Sequence, residues 1–88
     1  MLDSDSIVLL DRLEVALKQV TEILSQIKDG DYKELVVDII KYSKEAISKI
    51  RDNNVPCPDN VKEGLEEALS TIEEVYNKKI GEQKKLLN

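Results

Sequence analysis

LLDRLEVALKQVTEILSQI, residues 9–27, decides the fold of this chain. Its apolar residues recur every three to four positions, so at ~100° per residue they fall on one face of a helix. Such a face has to be buried against another part of the protein. The stretch therefore predicts a helix over about 5–28, with Ser4 or Ser6 as its N-cap.

Two further stretches have the same helical spacing. The second helix is predicted over about 32–52, and its apolar residues span an arc of about 160°, wider than one partner helix needs. This helix is therefore predicted to be the central element, with Ser43 inside the arc donating a hydrogen bond to the Ile39 carbonyl. The arc consists of Tyr32, Leu35, Val36, Ile39, Ile40, Tyr42, Ala46, Ile47 and Ile50.

The third helix is predicted over about 60–80, with Asp59 or Asn60 as its N-cap. Its apolar residues are Val61, Leu65, Ala68, Leu69, Ile72, Val75 and Tyr76. After them Lys79 and Gln83 stand where apolar residues are expected, and Gly81 weakens a helix. The segment up to residue 87 is therefore expected to fray or to overhang the other helices.

Two short breaks separate the helices. Gly30 ends the first helix, because glycine tolerates the left-handed backbone that follows a helix, and Asp31 is predicted to cap the second. Pro56 and Pro58 forbid a helix through the other break. The chain is therefore predicted to be one all-α domain, residues 1–88, folded as an up-down-up three-helix bundle or as half of a dimeric helical assembly.

Composition excludes several classes of function. The chain of 88 residues has a net charge of −5, and phosphate backbones repel an acidic surface, which argues against nucleic acid as the main ligand. No run without charge is longer than six residues, and the run at residues 6–10 is likewise far too short to span a membrane. A single cysteine and an acidic N-terminus indicate a cytoplasmic protein. A bundle this small is marginal unless it self-associates, so a homodimer is predicted.

No group of residues predicts catalysis, a cofactor or a metal. The chain has no histidine, which removes the commonest general base and metal ligand. Asp52, Asn54, Asn60 and Glu63 have the spacing of a calcium-binding loop. Cys57 stands where that loop needs glycine, so capping of the adjoining helices is the preferred interpretation.

Cys57 is expected to be exposed between its prolines. A reactive thiol needs a base or a positive field, and the nearest charges in sequence are Asp52 and Asp59. It is therefore predicted to be a passive loop residue, with a disulfide between two copies as the alternative. Residues 3–6 resemble the serine attachment motif of acyl carrier proteins, but no helix precedes them, so helix capping is preferred.

Partner-binding residues are predicted at two places. Val8 and Val15 lie one heptad apart, opposite the apolar stripe of the first helix. In the third helix, acidic residues come early and lysines late, as the helix dipole favours, and the lysine end is suited to an acidic partner. The candidate residues are Val8, Val15, Lys84, Lys85, Leu86 and Leu87.

The chain is therefore predicted to be a non-enzymatic protein–protein interaction module that self-associates. The alternative is an inhibitor or immunity-type protein that neutralises a toxin or enzyme. In length, helical layout and the spacing from residues 29–32 to Pro56, the chain resembles the small bundles that confer immunity to bacteriocins. That resemblance covers the second and third helices, implies a toxin-like partner and assigns no residue. A small bundle mutase would need converging arginines, and only Arg12 and Arg51 are present.

Overall fold

Three helices form the protein. The computed structural model describes residues 2–54 and 57–87, and for residues 83–87 it describes the backbone only. Helix α1 spans Ser4–Ile23 and continues into a 3₁₀ turn at Leu24–Gln26, α2 spans Asp31–Asn53, and α3 spans Asp59–Leu87. The predicted all-α three-helix bundle is confirmed, since the described residues form no strand and the helices pack against one another.

Ion pairs at the ends of the bundle show the direction of each helix. Lys62 near the start of α3 lies 3.6 Å from Asp3 at the start of α1, so these two helices are parallel. Arg51 near the end of α2 contacts Asp11 and Glu14 near the start of α1, so α2 is antiparallel to α1. The topology is therefore up-down-up.

Helix α3 is longer than its neighbours. Its 29 residues span about 43 Å at ~1.5 Å per residue, against roughly 30–35 Å for α1 and α2. Because α3 begins level with the start of α1, its far end projects beyond the turn that joins α1 to α2. Gly81 does not interrupt it, and the helix continues to Leu87. The segment that was expected to fray or overhang is thus a continuous helix that overhangs.

Helix α2 is the least embedded of the three helices, so the prediction that it is the central element is wrong. The most extensive contact in the bundle joins α1 to α3, while α2 touches each of them much less. Eight residues of α1 are buried, against four in α2, which are Val36, Ile40, Ser43 and Ile47. A wide arc shows only that a helix can bury two sides. The denser stripe of α1 attracts α3, and one side of the α2 arc stays uncovered.

The Ser43 hydroxyl differs from its prediction. It is fully buried and forms no hydrogen bond, so the predicted bond to the Ile39 carbonyl is absent. That carbonyl is also the acceptor position for the Ser43 backbone N–H in a regular helix. An unsatisfied buried hydroxyl costs about 1–3 kcal/mol, which lowers the stability gained where α2 packs.

Capping also differs in detail from the prediction. Asp3, rather than Ser4 or Ser6, caps α1, and its Oδ1 accepts from the Ser6 backbone N–H at 3.1 Å. Hydrogen bonding to Ser6 lowers the pKa of Asp3. Gly30, at φ +152°, precedes α2, so Asp31 is the first helical residue and not the cap. Pro56 lies outside the described residues.

Candidate interaction surfaces

Val8 and Val15 are exposed at 56% and 59%, on the side of α1 that adjoins α3. They line two neighbouring depressions between these helices. Arg12 lies between the two valines in sequence and reaches across to Glu73 of α3 at 3.4 Å. The two valines therefore flank an ion pair and do not form one continuous apolar surface.

A longer apolar row lies on α2. Tyr32, Leu35 and Tyr42 are each more than half exposed, and Ile39 is partly buried. Their spacing of three, four and three residues is that of the seam of a coiled coil. We call these four residues the α2 row. Sequence reasoning assigned them to the core. The buried residues of α2 form a separate row with the same heptad spacing, Val36, Ile40, Ser43 and Ile47. The presence of two such rows on one helix is the signal in the sequence for a second apolar side.

The α2 row borders a groove between α2 and α3. Ile39 and Tyr42 form its α2 side, Ala68 and Thr71 form its α3 side, and its volume is about 370 Å³. The Tyr42 hydroxyl lies beside Gly64 of α3, 3.5 Å from where a Cβ at that position would stand. Small side chains on α3 keep the groove open beside larger ones on α2. We call this feature the α2–α3 groove.

Both rims of the α2–α3 groove are acidic. Asp38 lines it from α2 and Glu67 from α3. Glu45 follows Asp38 by seven residues on α2, and Glu74 follows Glu67 by seven residues on α3, where it lines the depression between α1 and α3. All four side chains are exposed, and none takes part in an ion pair within the described part of the chain. The groove therefore combines an apolar lining with uncompensated negative charge.

The two arginines hold the other two seams of the bundle. Arg51 donates to Asp11 at 3.0 Å and to Glu14 at 2.9 Å, which ties the end of α2 to α1. Hydrogen bonding to Asp11, and then to Glu14, raises the pKa of the Arg51 guanidinium. With Arg12 bound to Glu73 across α1 and α3, both arginines stabilise the fold. Neither faces the α2–α3 groove.

The other candidate residues belong to the far end of α3. Lys84, Lys85, Leu86 and Leu87 lie in the helix that projects past the α1–α2 turn. Their side chains are outside the described part of the structure. In register, Leu86 follows Ile72 by two heptads, so it continues the apolar side of α3 beyond the end of α1.

Cys57 is buried, and the expectation that it is exposed is wrong. It is 8% exposed and belongs to the hydrophobic core cluster, because a thiol behaves as a small apolar group and closes the end of the bundle. Burial raises its pKa, which makes the thiolate scarce. Among the described residues, no three His, Cys, Asp or Glu side chains converge to hold a metal ion.

The chain matches no family model, no curated protein and no solved structure. Within the described residues, no helix is both long and apolar enough to cross a membrane. The arguments about function therefore depend on the surfaces of the bundle itself.

Proposed function

We propose that this protein is a non-enzymatic protein–protein interaction module that self-associates. The observation that carries the proposal is the α2 row, in which three large apolar side chains are more than half exposed along one helix. Rows of this spacing pair with a second helix in coiled coils. Exposed apolar surface of this kind marks sites of protein association more often than free surface.

The size of the chain supports self-association. An 88-residue chain buries roughly 60–65% of its unfolded surface, so its core supplies little stability. Covering the α2 row would bury further apolar area at about 25 cal/mol per Å². A buried thiol and the negative net charge support a cytoplasmic protein whose main ligand is not nucleic acid.

Sedimentation equilibrium at micromolar concentration tests the proposal. We expect twice the chain mass of 10.0 kDa, and a monomer at every concentration would contradict self-association. Leu35→Ser should shift the protein toward monomer, because it removes an exposed member of the α2 row. Val15→Ser is the matched control, since Val15 is equally exposed on another side. If both variants weaken self-association equally, the α2 row is not the association surface.

An inhibitor or immunity-type protein is the second proposal. The acidic rims of the α2–α3 groove support it, since uncompensated carboxylates attract a basic surface on an enzyme or toxin. A pull-down from the source organism should then yield one basic partner whose activity the purified protein suppresses. Recovery of the chain bound only to itself would argue against this alternative.

A further inference from the structure

We propose that two copies associate reciprocally, with residues 78–87 of α3 from each copy lying in the α2–α3 groove of the other. This inference rests on the self-association proposed above and specifies its contacts. The groove supplies apolar lining and acidic rims. The overhanging end of α3 supplies lysines and leucines.

The two surfaces have complementary chemistry. Asp38 and Glu67 make the groove negative, and neither takes part in an ion pair within the described part of the chain. Glu74 lies one heptad beyond Glu67 on α3, at the edge of the α1–α3 depression. The end of α3 carries Lys78, Lys79, Lys84 and Lys85, followed by Leu86 and Leu87. Opposite charges beside an apolar contact steer association and fix its register.

The occupant of the groove has to come from another molecule. Glu67 and Lys85 lie eighteen residues apart on one continuous helix, which separates them by about 27 Å. The end of α3 therefore cannot fold back onto its own groove without breaking the helix. A second copy meets no such obstacle, because its α3 is a separate helix and the part after Glu82 lies beyond the depression that Lys78, Lys79 and Glu82 share with the α1–α2 turn.

The charge pattern of α3 specifies an antiparallel register. Glu74 and Lys78 lie two residues on either side of Tyr76, and Glu67 and Lys85 lie nine residues on either side. Antiparallel pairing centred on Tyr76 therefore places Lys85 opposite Glu67 and Lys78 opposite Glu74, in both directions. Parallel pairing of the same segments would oppose like charges.

The same register aligns the apolar parts. Glu67 lines the groove together with Ile39 and Tyr42, so a partner's Lys85 in register with Glu67 places the last turn of the partner's α3 level with that apolar lining. Gly81 comes opposite Thr71, and a Cβ at Gly81 would meet nothing within 4 Å in the single copy. A small pair at this point allows close approach. Because each copy both gives and receives a helix end, the assembly closes as a two-fold dimer.

Charge reversal tests the register. Glu67→Lys/Glu74→Lys and Lys78→Glu/Lys85→Glu should each weaken self-association about tenfold or more in low salt. Mixing the two variants should restore a dimer, because every contact then joins a lysine to a glutamate. The variant that carries all four changes should dimerise alone. Circular dichroism should show unchanged helicity in each.

Controls separate this inference from the proposed function. Glu22→Lys/Glu34→Lys changes the net charge equally at exposed residues that do not line the α2–α3 groove and should leave dimerisation within about twofold of the unchanged protein. The register is wrong if the reversals at Glu67 and Glu74 weaken dimerisation no more than the control does, or if mixing the two variants does not restore a dimer. Either result leaves self-association itself in place. A monomeric unchanged protein would overturn both.

Discussion

The seam between α1 and α3 differs sharply from the seam between α2 and α3. Leu13, Leu65 and Ile72 are at most 1% exposed where α1 meets α3, and the Arg12–Glu73 pair closes that seam outside. The α2–α3 seam has exposed Tyr42, small Ala68 and unpaired acidic rims. The same three helices thus form one seam that buries its large apolar side chains and another that leaves large apolar side chains exposed.

The largest expected effect comes from Leu13→Ala. Leu13 is fully buried, and truncating a buried leucine costs about 2–5 kcal/mol, against a total stability of about 5 kcal/mol for a small domain. The variant should be largely unfolded by circular dichroism at 25 °C, and Ile72→Ala should behave alike. A folded Leu13→Ala with a nearly unchanged melting temperature would break the assignment of the α1–α3 seam as the more tightly packed one.

Ile39→Ala sharpens the contrast between the two seams. Ile39 is only partly buried beside the core, so its truncation should cost about 1 kcal/mol in the free energy of unfolding, well below the cost at Leu13. Urea denaturation of both variants checks this at concentrations where the chain is monomeric. Equal losses at Leu13 and Ile39 would show that α2 is packed as tightly as α1.

Truncation after Gly81 removes the overhang and leaves both seams in place. Among the described residues, the buried positions of α3 end at Val75, so the melting temperature of the monomer should fall by no more than a few degrees. Dimerisation should weaken about tenfold, equivalent to ~1.4 kcal/mol. Intact dimerisation of the truncated chain would move the association surface away from the end of α3.

Arg51→Met tests the ion pairs that hold α2 to α1. The pairs to Asp11 and Glu14 are substantially exposed, so their loss should cost about 1 kcal/mol or less. Methionine keeps most of the apolar stem that packs at this seam. The same measurement in high salt should shrink the difference, because screening already weakens the pairs in the unchanged protein.

The smallest effect is the pH dependence that Asp3 contributes. Its folded pKa lies below the ordinary value of 3.8, so the stability from this cap is present above 3.8 and is lost as the pH falls through the folded pKa. Asp3→Asn keeps a capping side chain but cannot titrate. Its unfolding free energy should fall less steeply between pH 5 and pH 2 than that of the unchanged protein.

The candidate surfaces were only partly predictable. Val8 and Val15 are exposed as their positions opposite the stripe indicated. The sequence predicted Tyr32, Leu35 and Tyr42 to be in the core. Periodicity predicts burial for an apolar residue beside a stripe, but it does not show whether another helix packs there. Cys57 was expected to be exposed, because sequence shows the prolines around it but not that its thiol belongs to the core cluster.

The sequence by itself determined the three helices and their breaks. The helices and breaks can be predicted from local backbone geometry, which depends on each residue and its neighbours in sequence. The features that predict them are the helical periodicity over residues 9–27, the glycine at position 30 and the prolines of the second break. Only the tertiary structure decided which helix is the least embedded and which side of α2 stays uncovered. Those outcomes depend on where α3 packs. That position depends on whether α3 buries more apolar surface against the stripe of α1 or against that of α2.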